Sequence, residues 1–441
     1  LVVHSLTLGF KDILKSEYGL NVIILSLLAF IVNLGFGAIS SILPYFILYL
    51  EGSLSTLPEE LSVIKGASEY AFEVGTLMSV FMFTRAFLAR YFGIYSDKIG
   101  RKKIVSLGTI LYAIVSFFYV IAPSIYWLYA IRMLQGVASA MVWPVAEALL
   151  MDSISEDVRG RVMGVYMATT MFSFIGGPAI GVIVYKIGVF VLNIKDINIA
   201  LRFPFILLAL LSLIAVFTVA RLKDVTVSKN SKNQQNEGKV RLLRFVKRSI
   251  NTLYAISFSN GVAMGLISPI VSLYIVEYIT SDPAAIAIVS FISGLAGFLV
   301  TYPAGYLSDK IGRRKIIIAG ILGSRTATLL IPFTKTVEEL TAVATLRNIN
   351  FNFYTPAFRA LQADLVPQEI RGKIFGTVQM FFNLGAVIGP ILGGAVYQAF
   401  ANQQILGLPG VAMTFLISAL IGYVSLLIFI LYVKDEKPAS P

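Results

Sequence analysis

Twelve stretches of this chain are apolar for about the 20 residues that a helix needs to cross a bilayer. They lie at roughly 20–50, 70–96, 104–122, 126–151, 159–187, 199–221, 250–279, 284–308, 315–334, 338–363, 370–399 and 409–433. A soluble domain has too little interior for them. Of 441 residues 57% are hydrophobic and 14% charged, with a mean hydropathy of +0.81, and the surface of a sphere limits what its core can hold. The expected fold is an all-α membrane protein of twelve transmembrane helices, a multi-pass protein of the cell membrane.

The net charge of +12 would point to nucleic acid in a soluble protein. Here the cations sit in short loops between apolar runs, so the expected partners are membrane lipids and no nucleic acid. Lys98, Arg101, Lys102, Lys103, Arg159, Arg161, Lys310, Arg313, Arg314, Lys315, Arg371 and Lys373 fall on one side, with few on the other, among them Lys65, Lys186 and Lys335. Basic loops resist translocation, which predicts both termini in the cytoplasm. There is no cysteine, and His4 is the only histidine. Thiolate metal sites, disulfides and cysteine nucleophiles are thereby excluded. No small-residue cleavage pattern follows the first apolar run, so no cleavable signal is expected.

The chain repeats itself. Gly93-Ile-Tyr-Ser-Asp97-Lys-Ile-Gly100-Arg101-Lys102-Lys103 returns as Gly305-Tyr-Leu-Ser-Asp309-Lys-Ile-Gly312-Arg313-Arg314-Lys315, 305 − 93 = 212 residues on. Asp152…Arg159-Gly160-Arg161 returns as Asp364…Arg371-Gly372-Lys373 at the same offset. Gly37-Ala-Ile-Ser40 matches Gly265-Leu-Ile-Ser268 at 265 − 37 = 228, so the first outside loop is 228 − 212 = 16 residues longer in the first half. The boundaries read as an amphipathic segment over 1–19, a first bundle at 20–221, a flexible linker at 222–248 rich in Ser, Lys, Asn and Gln, a second bundle at 249–433 and a tail at 434–441. The basic, apolar end of the linker, Lys239–Arg248, suits a helix on anionic lipid.

The paired Gly…Asp…Gly-Arg loops resemble the loop signature of the major facilitator superfamily. That resemblance covers essentially the whole chain and implies two pseudo-symmetric six-helix bundles, related by an axis along the membrane normal. It also implies a secondary transporter working by alternating access, a monomer, with a small-molecule substrate, no cofactor and no enzyme activity. Gly376, Gly385, Gly389-Pro390 and Gly393-Gly394 are similar to the glycine-proline pattern of antiporters in this superfamily. Its first copy is Gly164, Ser173, Gly177-Pro178 and Gly181-Val182. Small residues at this spacing let helices touch backbone to backbone, a seam expected at Gly177, Pro178, Gly181, Gly385, Gly389, Pro390 and Gly393. Leu128-x-x-x-Arg132-x-x-Gln135-Gly136 resembles the superfamily motif in which a membrane arginine is linked to proton coupling.

Charges within the apolar runs are costly and mark function. They are Glu73, Arg85, Arg90, Arg132, Glu147, Arg325, Arg347 and Arg359. Arg85 precedes Asp97 by twelve residues, about 18 Å of helix, and is expected near the midplane. That depth makes Arg85 the candidate central-cavity cation; in the resembled fold spans one, four, seven and ten line the cavity, so Asn33, Arg132, Asn260, Asn348 and Asn352 join it as candidate substrate contacts. The ninth span is peripheral there, so Arg325 is expected to be structural. Gly93, Asp97, Gly100, Arg101 and Asp152, with Gly305, Asp309, Gly312, Arg313 and Asp364, are expected to form a latch. Arg101 should pair with Asp152, and Asp97 should lie near Gln368–Arg371. Glu147 and Arg359 are 359 − 147 = 212 residues apart, and with Arg90 competing for Glu147 they form the expected proton-coupling gate. These cations outnumber the anions, which favours an anionic or polar neutral solute over a cationic one. Export by proton antiport is the first expectation. Uptake of a polar or anionic solute by symport or uniport is the alternative, and a transporter-like sensor the non-transport one.

Overall fold

In the computed structural model, residues 19–154, 158–223, 244–366, 370–405 and 407–433 are described. The expectations for residues 1–18, most of the linker and the tail from 434 fall outside them, as do Gln368 and residues 155–157. The described residues form twelve long helices: α1 (Gly19–Leu50), α2 (Ala71–Ile99), α3 (Arg101–Ile121), α4 (Ile125–Asp152), α5 (Arg159–Lys186), α6 (Ile197–Val219), α7 (Arg244–Ile267), α8 (Pro283–Ile311), α9 (Arg313–Leu330), α10 (Val337–Leu365), α11 (Arg371–Ala399) and α12 (Ala412–Tyr432). Past Ile267, α7 is prolonged by Ile270–Tyr274 and a wider turn at Ile275–Ile279. A short strand pair joins β1 (Gln404–Ile405) to β2 (Leu408–Pro409).

Eleven of these helices have the length and apolarity of a membrane span, and α10 alone is too polar. Their starts are set by local chemistry. Asp196 accepts from the N–H groups of Asn198 and Ile199 at the head of α6. Asp282 accepts from Ala284, with Pro283 in the first turn of α8, and the Thr336 hydroxyl accepts from Glu339 at the head of α10. Each cap satisfies an N–H that has no partner inside the helix.

The contacts divide the chain into two compact units. The first comprises Leu1–Phe46 with Phe83–Gln234, the second Ile47–Met82 with Gln235–Pro441. In the first, Leu25 and Leu28 of α1, Val105 of α3, Ala138 and Leu150 of α4, Tyr166 of α5 and Val219 of α6 share one buried core. Asn21, itself fully buried, ties three helix ends: its Nδ2 donates to Ser153 Oγ (3.1 Å) and the Lys223 carbonyl (3.0 Å), and its Oδ1 accepts from the Lys223 N–H (2.9 Å). In the second, Leu253, Ile317, Ala357, Leu361 and Phe429 form the corresponding core of α7, α9, α10 and α12. Large apolar side chains stand outside both cores, Phe217 73% exposed and Leu420 62%. In water such surfaces would be interaction patches; in a multi-pass membrane protein they meet lipid.

The long first loop packs within the second unit. The Ile64 N–H donates to Val276 O (2.9 Å) and the Ser281 N–H to Ser62 O (3.0 Å), while the Ser281 hydroxyl reaches the Pro58 and Leu61 carbonyls (2.7 and 2.5 Å). Ser68 donates to Glu277 Oε1 (2.8 Å), and Gln398 of α11 to Glu69 O (2.6 Å). The 16 extra residues thus form a strap over the ends of α7, α8 and α11.

Candidate functional site

The repeated loops fold alike. Gly100 ends α2 at φ 103° and Gly312 ends α8 at φ 102°, a region where a side chain would be strained. One residue therefore reverses the chain, and an arginine opens the next helix. Arg101 Nη2 lies 3.2 Å from Asp97 Oδ1 and its Nη1 2.5 Å from Asp152 Oδ2. Arg313 repeats this with Asp309 (3.7 Å) and Asp364 (2.7 Å). Each arginine is held between one carboxylate of its own turn and one at the end of α4 or α10. The side chains of Asp97 and Asp309 stay 62% and 68% exposed, with acceptor capacity to spare. Gly93 has open space around it, and Gly305 has only Pro356 at 4.0 Å.

In the first unit Glu147, half-buried on α4, has Arg85 and Tyr166 as electrostatic neighbours. Arg85 also acts on Tyr112 of α3. The cation bearing on Glu147 is thus Arg85 rather than Arg90. Five residues turn a helix by about 140°, so the two arginines occupy different faces of α2. Arg90 and Arg359 are exposed. Arg132 is turned into the bundle: its Nη1 donates to Gln135 Oε1 (3.0 Å), which also accepts from Tyr119, and its guanidinium lies 5.6 Å from the Phe36 ring and 5.9 Å from that of Tyr119. Asn33 donates to Ala29 O one turn back, at 2.8 Å.

In the second unit Asn348 and Asn352 of α10 face α8. Asn348 donates to Ser293 (2.9 Å), Asn352 to Asn348 O (2.9 Å), and Thr301 reaches Asn352 (3.5 Å). Gly297 makes room for them, since a Cβ there would come within 2.6 Å of Asn352 Nδ2. Asn260 on α7 accepts from Arg325 Nη2 at 2.7 Å. Arg325, expected to be structural, is 4% exposed and therefore inside the unit. Glu277 was not singled out by sequence, although an acid ending an apolar run beside an enlarged loop was a visible signal.

The glycine-proline pattern lies within each unit. Hypothetical Cβ atoms at Gly177 and Gly181 would meet the backbone of Gly37 and Ala38 on α1. At Gly385, Gly389 and Gly393 they would meet Val262, Gly265 and Leu266 on α7. Pro178 and Pro390 each stand beside a seam glycine, against Gly37 and Gly265. The small residues serve contact between α5 and α1 and between α11 and α7.

No cluster of three or more His, Cys, Asp or Glu is present among the described residues. What the arrangement offers is a pair of arginine-bridged helix ends and a membrane carboxylate beside a cation.

A family profile described as Major Facilitator Superfamily matches residues 25–256 and 253–441. The chain is 26% identical over 352 residues to the multi-drug resistance efflux pump PmrA of Streptococcus pneumoniae TIGR4, covering 77% of this chain and 83% of that one. It is 26% identical over 384 residues to the multidrug resistance protein MdtG of Yersinia enterocolitica, covering 86% and 87%. Among solved structures, a bacterial homolog of the human lysosomal transporter Spinster superposes with a TM-score of 0.74 at 16% identity, over 97% of this chain and all of that one.

Proposed function

The chain belongs to the major facilitator superfamily, and on that premise we propose that it exports a small organic solute in exchange for protons by alternating access. The observation that carries the coupling is Glu147, a half-buried carboxylate inside a membrane helix on which the charge of Arg85 acts. A membrane acid that gains and loses a cationic neighbour gains and loses the driving force to ionise. Export is supported by the relatives, which are named as a multi-drug resistance efflux pump and a multidrug resistance protein. In this reading Arg101 and Arg313, each bridging two carboxylates, stabilise one closed end of the molecule, and the termini are cytoplasmic, on the side of those basic loops. Asn33, Arg85, Arg132 and Asn260 remain the proposed substrate contacts. Asn348 and Asn352 are occupied with α8 and serve to hold α10.

The test is flux into proteoliposomes loaded with acid and a pH dye. A transported solute added outside should enter while the interior becomes more alkaline. Glu147→Gln should abolish that proton movement and keep counterflow of labelled solute. Solute entry coupled to proton entry would establish symport and overturn the reading.

A further inference from the structure

The second unit holds two arginines deep in the membrane with no carboxylate between them. Arg325 lies twelve residues into α9, about 18 Å from its start. Arg347 lies ten residues into α10, about 15 Å from the opposite end. Each feels the other's charge or the same tyrosine: Arg347 has Arg325 and Tyr354 as electrostatic neighbours, and Arg325 has Tyr354 and Tyr423. Among the described residues neither Arg325 nor Arg347 forms an ion pair.

Arg325 is fixed in place. Its stem lies on the backbone of α12, where a Cβ at Gly422 would overlap the guanidinium Nε and Cδ and come within 2.7 Å of Cγ. Nη2 is held by Asn260, while Nε is buried without a partner. Glycines also bring α9 onto α10. A Cβ at Gly320 would strike Tyr354, and one at Gly323 would strike Asn350. Arg325 and Arg347 lie two and three residues from the contact of Gly323 with Asn350, so this packing sets the two cations on adjoining helices at a similar depth. Like charges in a low dielectric repel, and an unpaired buried charge is strongly destabilising.

Nor is this an inherited framework. The positions 212 residues earlier are Ala113 for Arg325, Gln135 for Arg347 and Val142 for Tyr354. The cluster belongs to the second half alone, so the duplicated scaffold does not require it.

We propose that Arg325, Arg347 and Asn260 form a binding site for an oxyanion: a carboxylate, phosphate or phosphonate group that supplies the missing counter-charge. Two guanidinium groups suit such an acceptor because each offers several N–H donors in a planar fork. That this anion belongs to the exported solute rests on the transport reading above; its binding does not.

The experiment uses the full chain in phosphatidylcholine nanodiscs, with phenylphosphonate and benzoate as probes and benzyl alcohol and benzyltrimethylammonium as controls. Either anion should raise the melting temperature saturably, and the controls should not. Arg347→Gln should weaken anion binding about tenfold to a hundredfold. Arg347→Glu gives Arg325 an internal counter-charge, so it should melt higher than the wild type without ligand and lose the anion response. Equal response to all four probes, undiminished anion binding by Arg347→Gln, or an Arg347→Glu variant no more stable than Arg347→Gln would overturn the site. Repeating the titration with phosphatidylglycerol in the nanodisc separates the sources. Loss of the probe's effect identifies a lipid headgroup, and its persistence identifies a soluble anion. Binding without proton-coupled flux would remove the transport reading and leave the site. Flux of solutes lacking an oxyanion, with no anion bound, would do the reverse.

Discussion

Substituting alanine at two glycines of α11 should move stability in opposite directions. Gly389 lies in the seam against α7, where an added Cβ would stand 2.6 Å from Val262 O and 2.7 Å from Gly265 Cα. Ordinary carbon contacts begin near 3.5 Å, so the helices must part by about 0.8 Å or the backbone must shift. Overpacking of this kind costs about 1–3 kcal/mol. Alanine regains up to about 1 kcal/mol because glycine loses more backbone freedom in a helix. The net for Gly389→Ala is a loss of about 0–2 kcal/mol, and a larger loss for Gly389→Val, which adds two further carbons at the same contact. Gly376 is exposed, with nothing within 4 Å of its Cβ position. Gly376→Ala should therefore show only the gain, up to about 1 kcal/mol. Both variants share one helix, host and chemistry, so the sign of the difference is the result. Intrinsic-fluorescence melting of the detergent-purified protein reads it. If Gly389→Ala melts at or above Gly376→Ala, the backbone seam is not what holds α11 to α7.

Asn21→Ala removes three hydrogen bonds, one buried and two part-buried, joining α1 to the ends of α4 and α6; it should cost about 2–4 kcal/mol, and a melting curve unchanged from wild type would refute the tie. Arg101 and Asp152 should couple by about 1 kcal/mol in a double-mutant cycle with Arg101→Gln and Asp152→Asn, since the pair is only partly exposed; additive losses would show that the bridge contributes nothing. Ser281→Ala leaves the Leu61 carbonyl without its donor and the Pro58 carbonyl with the Leu61 N–H alone, and amide exchange of residues 58–64 should quicken relative to the core of α7. Unchanged exchange there would mean that the backbone bonds at Ile64 and Ser62 suffice to hold the strap.

Much of the molecule is a one-dimensional consequence of its sequence. Span length follows from bilayer thickness and rise per residue, so the apolar runs located all twelve helices to within a few residues. The repeat offset likewise put Arg101 with Asp152 and Arg313 with Asp364, because each arginine opens a helix whose successor runs back and ends at the aspartate. The direction of a buried side chain is a different matter. Asn348 and Asn352 read as cavity residues from their span, yet the space left by Gly297 turns them onto α8. Arg85 and Arg90 read alike as membrane cations, and helical rotation gives Glu147 to only one of them. Arg325 read as structural, on a span expected to be peripheral. Only the approach of α12 at Gly422, together with Asn260 on α7, reveals it as buried and facing inward. Apolarity and periodicity determine where a helix runs; which face it turns, and which charges thereby share a site, depends on its neighbours in three dimensions.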